Sequence, residues 1–95
     1  MKLESITPSD SKTKKYKAVF LLDDNKTKTI QFGAKGYKDF TDHKDVDRRY
    51  SYLKRHGARE DFNNPLTAGA LSRWILWEKP TIRESIAYFK KKFKL

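Results

Sequence analysis

The chain contains no cysteine, which excludes disulfides, thiol chemistry and zinc–thiolate sites. That composition fits a reducing compartment. Glycine and proline are sparse, with four and three residues, and no repeat or low-complexity segment is present. No apolar run approaches the roughly 20 residues of a membrane span, the longest being the strand-sized Ala18–Leu22. Met1–Asp10 has no apolar signal-peptide core, so a protein that is neither secreted nor membrane-bound is expected. Acids are also in short supply, 12 against 22 lysines and arginines.

What is present is a net charge of +10 on 95 residues, together with 14% aromatic residues. Basic disordered tails lack such aromatics. The composition therefore describes a folded domain with a positive surface, whose usual partner is a polyanion, most often nucleic acid. The same charge also serves solubility alone.

Residues 1–13 read as a flexible basic arm containing the turn-forming run Thr7-Pro8-Ser9-Asp10-Ser11. Residues 14–95 read as one α+β domain, an N-terminal antiparallel β-hairpin followed by three α-helices. In the first strand, Lys15–Leu22, the residues Tyr16, Ala18, Phe20 and Leu22 share a face; in the second, Thr27–Phe32, Ile30 and Phe32 do. An odd-length loop at Asp23–Lys26 keeps the apolar faces together and pairs Phe20 with Ile30 and Ala18 with Phe32. Gly33-Ala34-Lys35-Gly36-Tyr37 reads as a bend, because its spacing is not that of a phosphate-binding loop.

The first helix is expected over Asp42–His56, with Val46, Tyr50 and Leu53 buried and Gly57 as a left-handed cap. The second is expected over Thr67–Trp77, with an apolar arc wide enough for a central helix. A Thr81-Ile82-Arg83-Glu84 capping box opens the third, whose stripe is Ile82, Ile86, Phe89 and Phe93.

No catalytic constellation is visible, and no enzyme, cofactor or metal is expected. His43 and His56 fall at opposite ends of the first expected helix, too far apart to share a metal or a proton. The candidate nucleic-acid contacts are cations. Lys12, Lys14, Lys15 and Lys17 lie in and after the arm; Arg48, Arg49 and Arg55 lie on the outer face of the first helix; Lys90, Lys91, Lys92 and Lys94 end the third. A helix C-terminus favours lysines at about 0.3–1 kcal/mol each, which accounts for one or two of this last group. Arginines on an exposed helix face also arise as solvated acid–base pairs, such as Asp45 with Arg49. Tyr37, Phe40 and Tyr52 are placed either to stack bases or to plug the gap between hairpin and helices. The open hairpin edges and the wide apolar arc suggest a homodimer with Trp74 or Trp77 at its interface, and Phe20 or Ile30 there if strands pair instead.

With these residues in place, the chain resembles a family of short basic proteins of unknown function from large DNA viruses, the marseillevirus-like group among them. The resemblance rests on Phe32-Gly33-Ala34-Lys35-Gly36-Tyr37, Asp39, Thr41, His43, Asp45, Arg48-Arg49, Tyr52-Leu53 and Arg55-His56. It continues through Arg59-Glu60-Asp61, Asn63, Pro65, Thr67-Ala68-Gly69, Ser72-Arg73-Trp74-Ile75-Leu76-Trp77 and Lys79-Pro80-Thr81. It brings no catalytic or binding residues. It implies a viral protein, located in the virion and the host-cell interior. The expected function is therefore that of a small basic viral protein that binds DNA phosphates without sequence specificity. The alternative is a virion or host-interaction protein with no nucleic-acid role.

Overall fold

The apolar alternations become an antiparallel sheet of three strands rather than a two-stranded hairpin. The computed structural model describes residues 1–95, with β1 (Lys2–Pro8), β2 (Lys14–Leu21) and β3 (Thr27–Ala34) in the order β1-β2-β3. The stretch expected as a flexible arm thus supplies an edge strand. Leu3 faces Phe20 and Ile6 faces Ala18, with an irregularity between Leu3 and Ser5. Leu3 and Ile6 are an odd number of residues apart, and strict alternation would send them to opposite faces. The bulge restores parity and turns both toward the core.

The loop joining β2 and β3 is odd, as expected, but centred one residue earlier in the chain. Leu22 N–H donates to Lys26 O (2.8 Å), Asn25 N–H donates to Leu22 O (3.0 Å), and Asn25 takes a left-handed φ of 64°. Asn tolerates that conformation well. The loop closes on Asp23–Asn25, so Tyr16 faces Phe32, Ala18 faces Ile30 and Phe20 faces Lys28, two residues away from the expected pairing. The parity is unchanged, and Ala18, Phe20 and Phe32 are fully buried.

The expected first helix is two helices. α1 (Phe40–His43) is capped by Asp39, whose carboxylate accepts from Thr41 N–H, while Asp42 accepts from Asp39 N–H. It ends at Lys44, φ 55°. α2 (Val46–Gly57) restarts on Asp45, which accepts from the N–H groups of Asp47 and Arg48. The expected buried stripe fails at two of its three positions, since Val46 and Tyr50 are each 68% exposed and only Leu53 is half-buried, while Tyr52 is buried instead. Gly57 is the last residue of α2 and has no left-handed φ.

The second expected helix is present. α3 (Ala68–Leu71), capped by Thr67 Oγ1 accepting from Ala70 N–H at 3.1 Å, continues into a π-helical turn, Ser72–Leu76. Ala70, Leu71, Trp74, Ile75 and Leu76 are buried, which is the wide apolar arc of a central helix. α3 and the π turn lie on β3, and α4 (Ile82–Phe93) packs on the π turn. Its stripe is as expected: Phe89 is fully buried, and Ile82, Ile86 and Phe93 flank the core. Thr81 Oγ1 caps it by accepting from Glu84 N–H at 3.2 Å. No helix is long and apolar enough to cross a membrane.

Gly33 is a point of close approach between sheet and helix. Its φ is +78°, and a Cβ there would sit 3.0 Å from Leu76 Cδ1 and 3.2 Å from Lys15 Cβ. Gly36, φ +90°, has open space around it. Gly33→Ala should therefore cost about 2–3 kcal/mol and Gly36→Ala about 1 kcal/mol, the first for strain plus contact and the second for strain alone. Urea denaturation checks this; equal losses would show that the approach of Leu76 is not limiting.

Candidate functional site

α2 is fastened to the rest of the chain by long side chains. Tyr52 lies flat on Trp77, with ring centroids 4.1 Å apart and planes 3° from parallel. His56 stacks on Tyr52 at 4.2 Å, and His43 tilts against Trp77 at 5.4 Å. One turn from Tyr52, Arg49 Nε–H donates to Trp77 O (2.7 Å) and its Nη2 donates to Glu78 Oε2 (3.1 Å). The other oxygen of Glu78 lies 3.1 Å from Arg73 Nη1, close enough for an ion pair without the alignment of a hydrogen bond. Arg73 also lies 4.0 Å over the Trp74 ring. Desolvation lowers the Arg73 pKa and Glu78 pulls it back up.

Fastening α2 in this way leaves a groove between it, the loop before α1 and the end of the π turn. The groove is a chain of adjoining hollows. The largest, about 440 Å³, has Tyr37, Lys38, Tyr52, Arg55, His56 and Trp77 in its wall. Lys38, Arg55 and Trp77 also border a second hollow of about 310 Å³, with His43 and Arg48. Tyr37 and Lys38 border a third of about 320 Å³, beside Tyr16 and Thr41. Arg59 joins Arg55 and His56 at a fourth of about 180 Å³.

The groove holds more unpaired cations than unpaired acids, with Asp47 the one carboxylate in its walls that has no ion-pair partner. Lys15 Nζ is held by Asp39 (2.7 Å) and Asp42 (3.4 Å), and Arg48 lies 3.7 Å from Asp45. Lys38, Arg55 and Arg59 have no ion-pair partner. The Asp42 carboxyl is held below its usual range, first by the Asp39 N–H and then by Lys15. His43 Nδ1 accepts from Asp45 N–H (2.9 Å), and its Nε2 is buried in the wall without a partner.

The cations expected from sequence separate into distinct groups. Arg48 and Arg55 come together in the groove. Lys15 and Arg49, expected as free contacts, are taken up by ion pairs inside the fold. Lys12 and Lys14 stand exposed at the β1–β2 corner, and Lys17 is half-buried on β2. Lys90, Lys91 and Lys94 are exposed at the end of α4, while Lys92 Nζ lies 4.6 Å over the Trp74 ring. Of the aromatics, Phe40 and Tyr52 are buried plugs and Tyr37 is 75% exposed. Both tryptophans expected at a contact between copies are engaged by their own chain. Trp74 is 8% exposed and donates from Nε1 to Phe62 O at 2.7 Å, and Trp77 lies under Tyr52. Phe20 is fully buried. Lys38 is isolated in sequence and only the fold brings it beside Arg55, whereas Arg59 follows Arg55 by four residues and lies beside it locally at the end of α2.

Residues 4–56 match the model of a family of unknown function, DUF5754. The chain belongs to this family. The DUF5754 segment runs from β1 almost to the end of α2, and so carries Tyr37, Lys38, His43, Arg48, Tyr52 and Arg55. Arg59, the π turn, Trp77 and Glu78 lie beyond it, so the groove is completed from outside the matched segment. No curated protein and no solved structure matches the chain.

Two outcomes follow from the α2 attachment. Glu78→Ala strands two half-buried guanidiniums and should cost about 3 kcal/mol in chemical denaturation, whereas exposed Asp47→Ala should cost less than about 1 kcal/mol. Burial pushes the Tyr52 hydroxyl up from 10.0 to about 12. A raised folded-state pKa means that its contribution to stability is intact below pH 10 and is lost as pH rises through about 12. Ultraviolet titration should find one late-ionising tyrosine that becomes ordinary in Trp77→Ala.

Proposed function

We propose that the protein binds nucleic acid, DNA foremost, through the phosphate backbone and without reading sequence. The observation that supports this reading is the grouping of Lys38, Arg48, Arg55 and Arg59 along one groove, three of them unpaired, on a chain of net charge +10. Cations left free of carboxylates are available to replace the counterions of a polyanion. The exposed lysines at the end of α4 add further positive charge to the molecule. The viral setting implied by the resemblance belongs to the same proposal: a small cationic protein that neutralises phosphate serves genome packaging or the particle.

A second reading has its own observation. Val46 and Tyr50, one helical turn apart and each 68% exposed, form an apolar patch on the outer face of α2. Such a patch suits a protein contact, with a second copy or another virion or host protein, in which charge serves only solubility.

A mobility-shift titration on random duplex DNA at 50 and 200 mM salt separates the two. Nucleic-acid binding gives a log–log salt slope of about −0.9 per neutralised phosphate. Substituting glutamine for Lys38, Arg55 and Arg59 together should reduce affinity at least tenfold on every sequence and make the slope shallower by about 2–3. The same change at Lys90, Lys91, Lys92 and Lys94 should have a smaller effect and leave folding intact. No binding at 50 mM salt and micromolar protein would favour the protein contact. A loss confined to the α4 variant would move the surface away from the groove.

A further inference from the structure

Phosphate binding alone leaves Tyr37 unexplained. This tyrosine is 75% exposed, has no ring partner in the chain and stands between two hollows of the groove. The backbone beside it is open, with nothing within 4 Å of where a Gly36 side chain would begin. Lys38, next in the chain, borders the same two hollows and also the one containing His43. An accessible ring face next to unpaired cations is the arrangement that single-strand binding uses, with bases stacked on aromatics and phosphates held by lysine or arginine. A duplex cannot use it, because its bases are already stacked and paired and only its phosphates reach the groove.

We infer that the groove takes unpaired nucleotides, one base stacking on Tyr37 while Lys38 and Arg55 hold the flanking phosphates, so that single strands bind more tightly than duplexes. The inference rests on the nucleic-acid reading above. The main hollow, about 440 Å³, lies within the range of about 300–1,000 Å³ typical of small-molecule sites. The adjoining hollows, each bordered by at least one basic side chain, give the strand a path on either side.

Fluorescence anisotropy tests this with labelled 12-mers of deoxyuridylate, uridylate and a random duplex, on the full chain at 100 mM salt. Each mass-action curve is repeated for Tyr37→Ala and Tyr37→Phe. At least one single strand should bind about tenfold more tightly than the duplex, and the tighter of the two identifies the sugar. Tyr37→Ala should remove about tenfold of the single-strand affinity and leave the duplex unchanged, while Tyr37→Phe should restore it, since the ring and not the hydroxyl stacks. Equal binding of strand and duplex, or a Tyr37→Ala variant that binds single strands normally, overturns the inference while leaving backbone binding intact. Absence of binding to all three ligands overturns both.

Discussion

The groove depends on one carboxylate that is mostly withdrawn from solvent. Glu78, 11% exposed, lies between Arg49 of α2 and Arg73 of the π turn. With one partner on each element, it ties α2 to the helix that carries the core. The Tyr52–Trp77 stack lies next to this bridge and shares its geometry, because Arg49 also holds the Trp77 carbonyl. A buried ion pair does not by itself promise net stability, since desolvation offsets much of the attraction. What it supplies here is position. α2 presents Arg55 and Arg48 to the groove only because Arg49 and Tyr52 face inward.

The same constraint explains how the chain distributes its positive charge. Lys15, Arg49 and Arg73 are used inside the molecule, each against a carboxylate with a stated partner. Lys92 is laid over an aromatic ring. Lys35 donates to Ser11 O, Lys44 donates to Thr41 O and Lys79 lies over the Tyr88 ring; cations without such contacts include Lys38, Arg55 and Arg59 at the groove, Lys12 and Lys14 at the β1–β2 corner and Lys90, Lys91 and Lys94 at the end of α4. An excess of lysine and arginine in composition is thus a mixture of fasteners and free charges, and only the free charges bear on function. The π turn contributes here too, because Ser72 and Leu76 at its ends, with Trp77 just after it, line the same hollow as Arg55. Such turns are often found at functional sites.

Much of the fold was legible from periodicity. The alternations of Tyr16, Ala18 and Phe20 and of Ile30 and Phe32, the arc over residues 70–76 and the stripe of α4 all rest on local spacing, and local spacing is what sequence displays. β1 was not legible, because its bulge breaks the alternation between Leu3 and Ile6 and makes the strand read as irregular. The burial of α2 departs from its pattern for a different reason. Its inward face contains an arginine whose partner, Glu78, is 29 residues away, so hydrophobic patterning assigned the interior to Val46 and Tyr50 instead. The candidate site was half legible. Arg48 and Arg55 could be named as exposed cations on a helix, and Arg59 continues Arg55 at a four-residue spacing just past its end, but Lys38 is a single loop residue that joins the site only through tertiary proximity.

Amide chemical-shift mapping with a short oligonucleotide tests most directly whether the fold has gathered these residues for a ligand. Perturbations are expected at Tyr37, Lys38, His43, Arg48, Arg55 and Arg59 and at the Trp77 indole N–H, diminishing as salt is raised. Perturbations confined to Lys90–Leu95, or absent altogether, would contradict the groove as the binding surface.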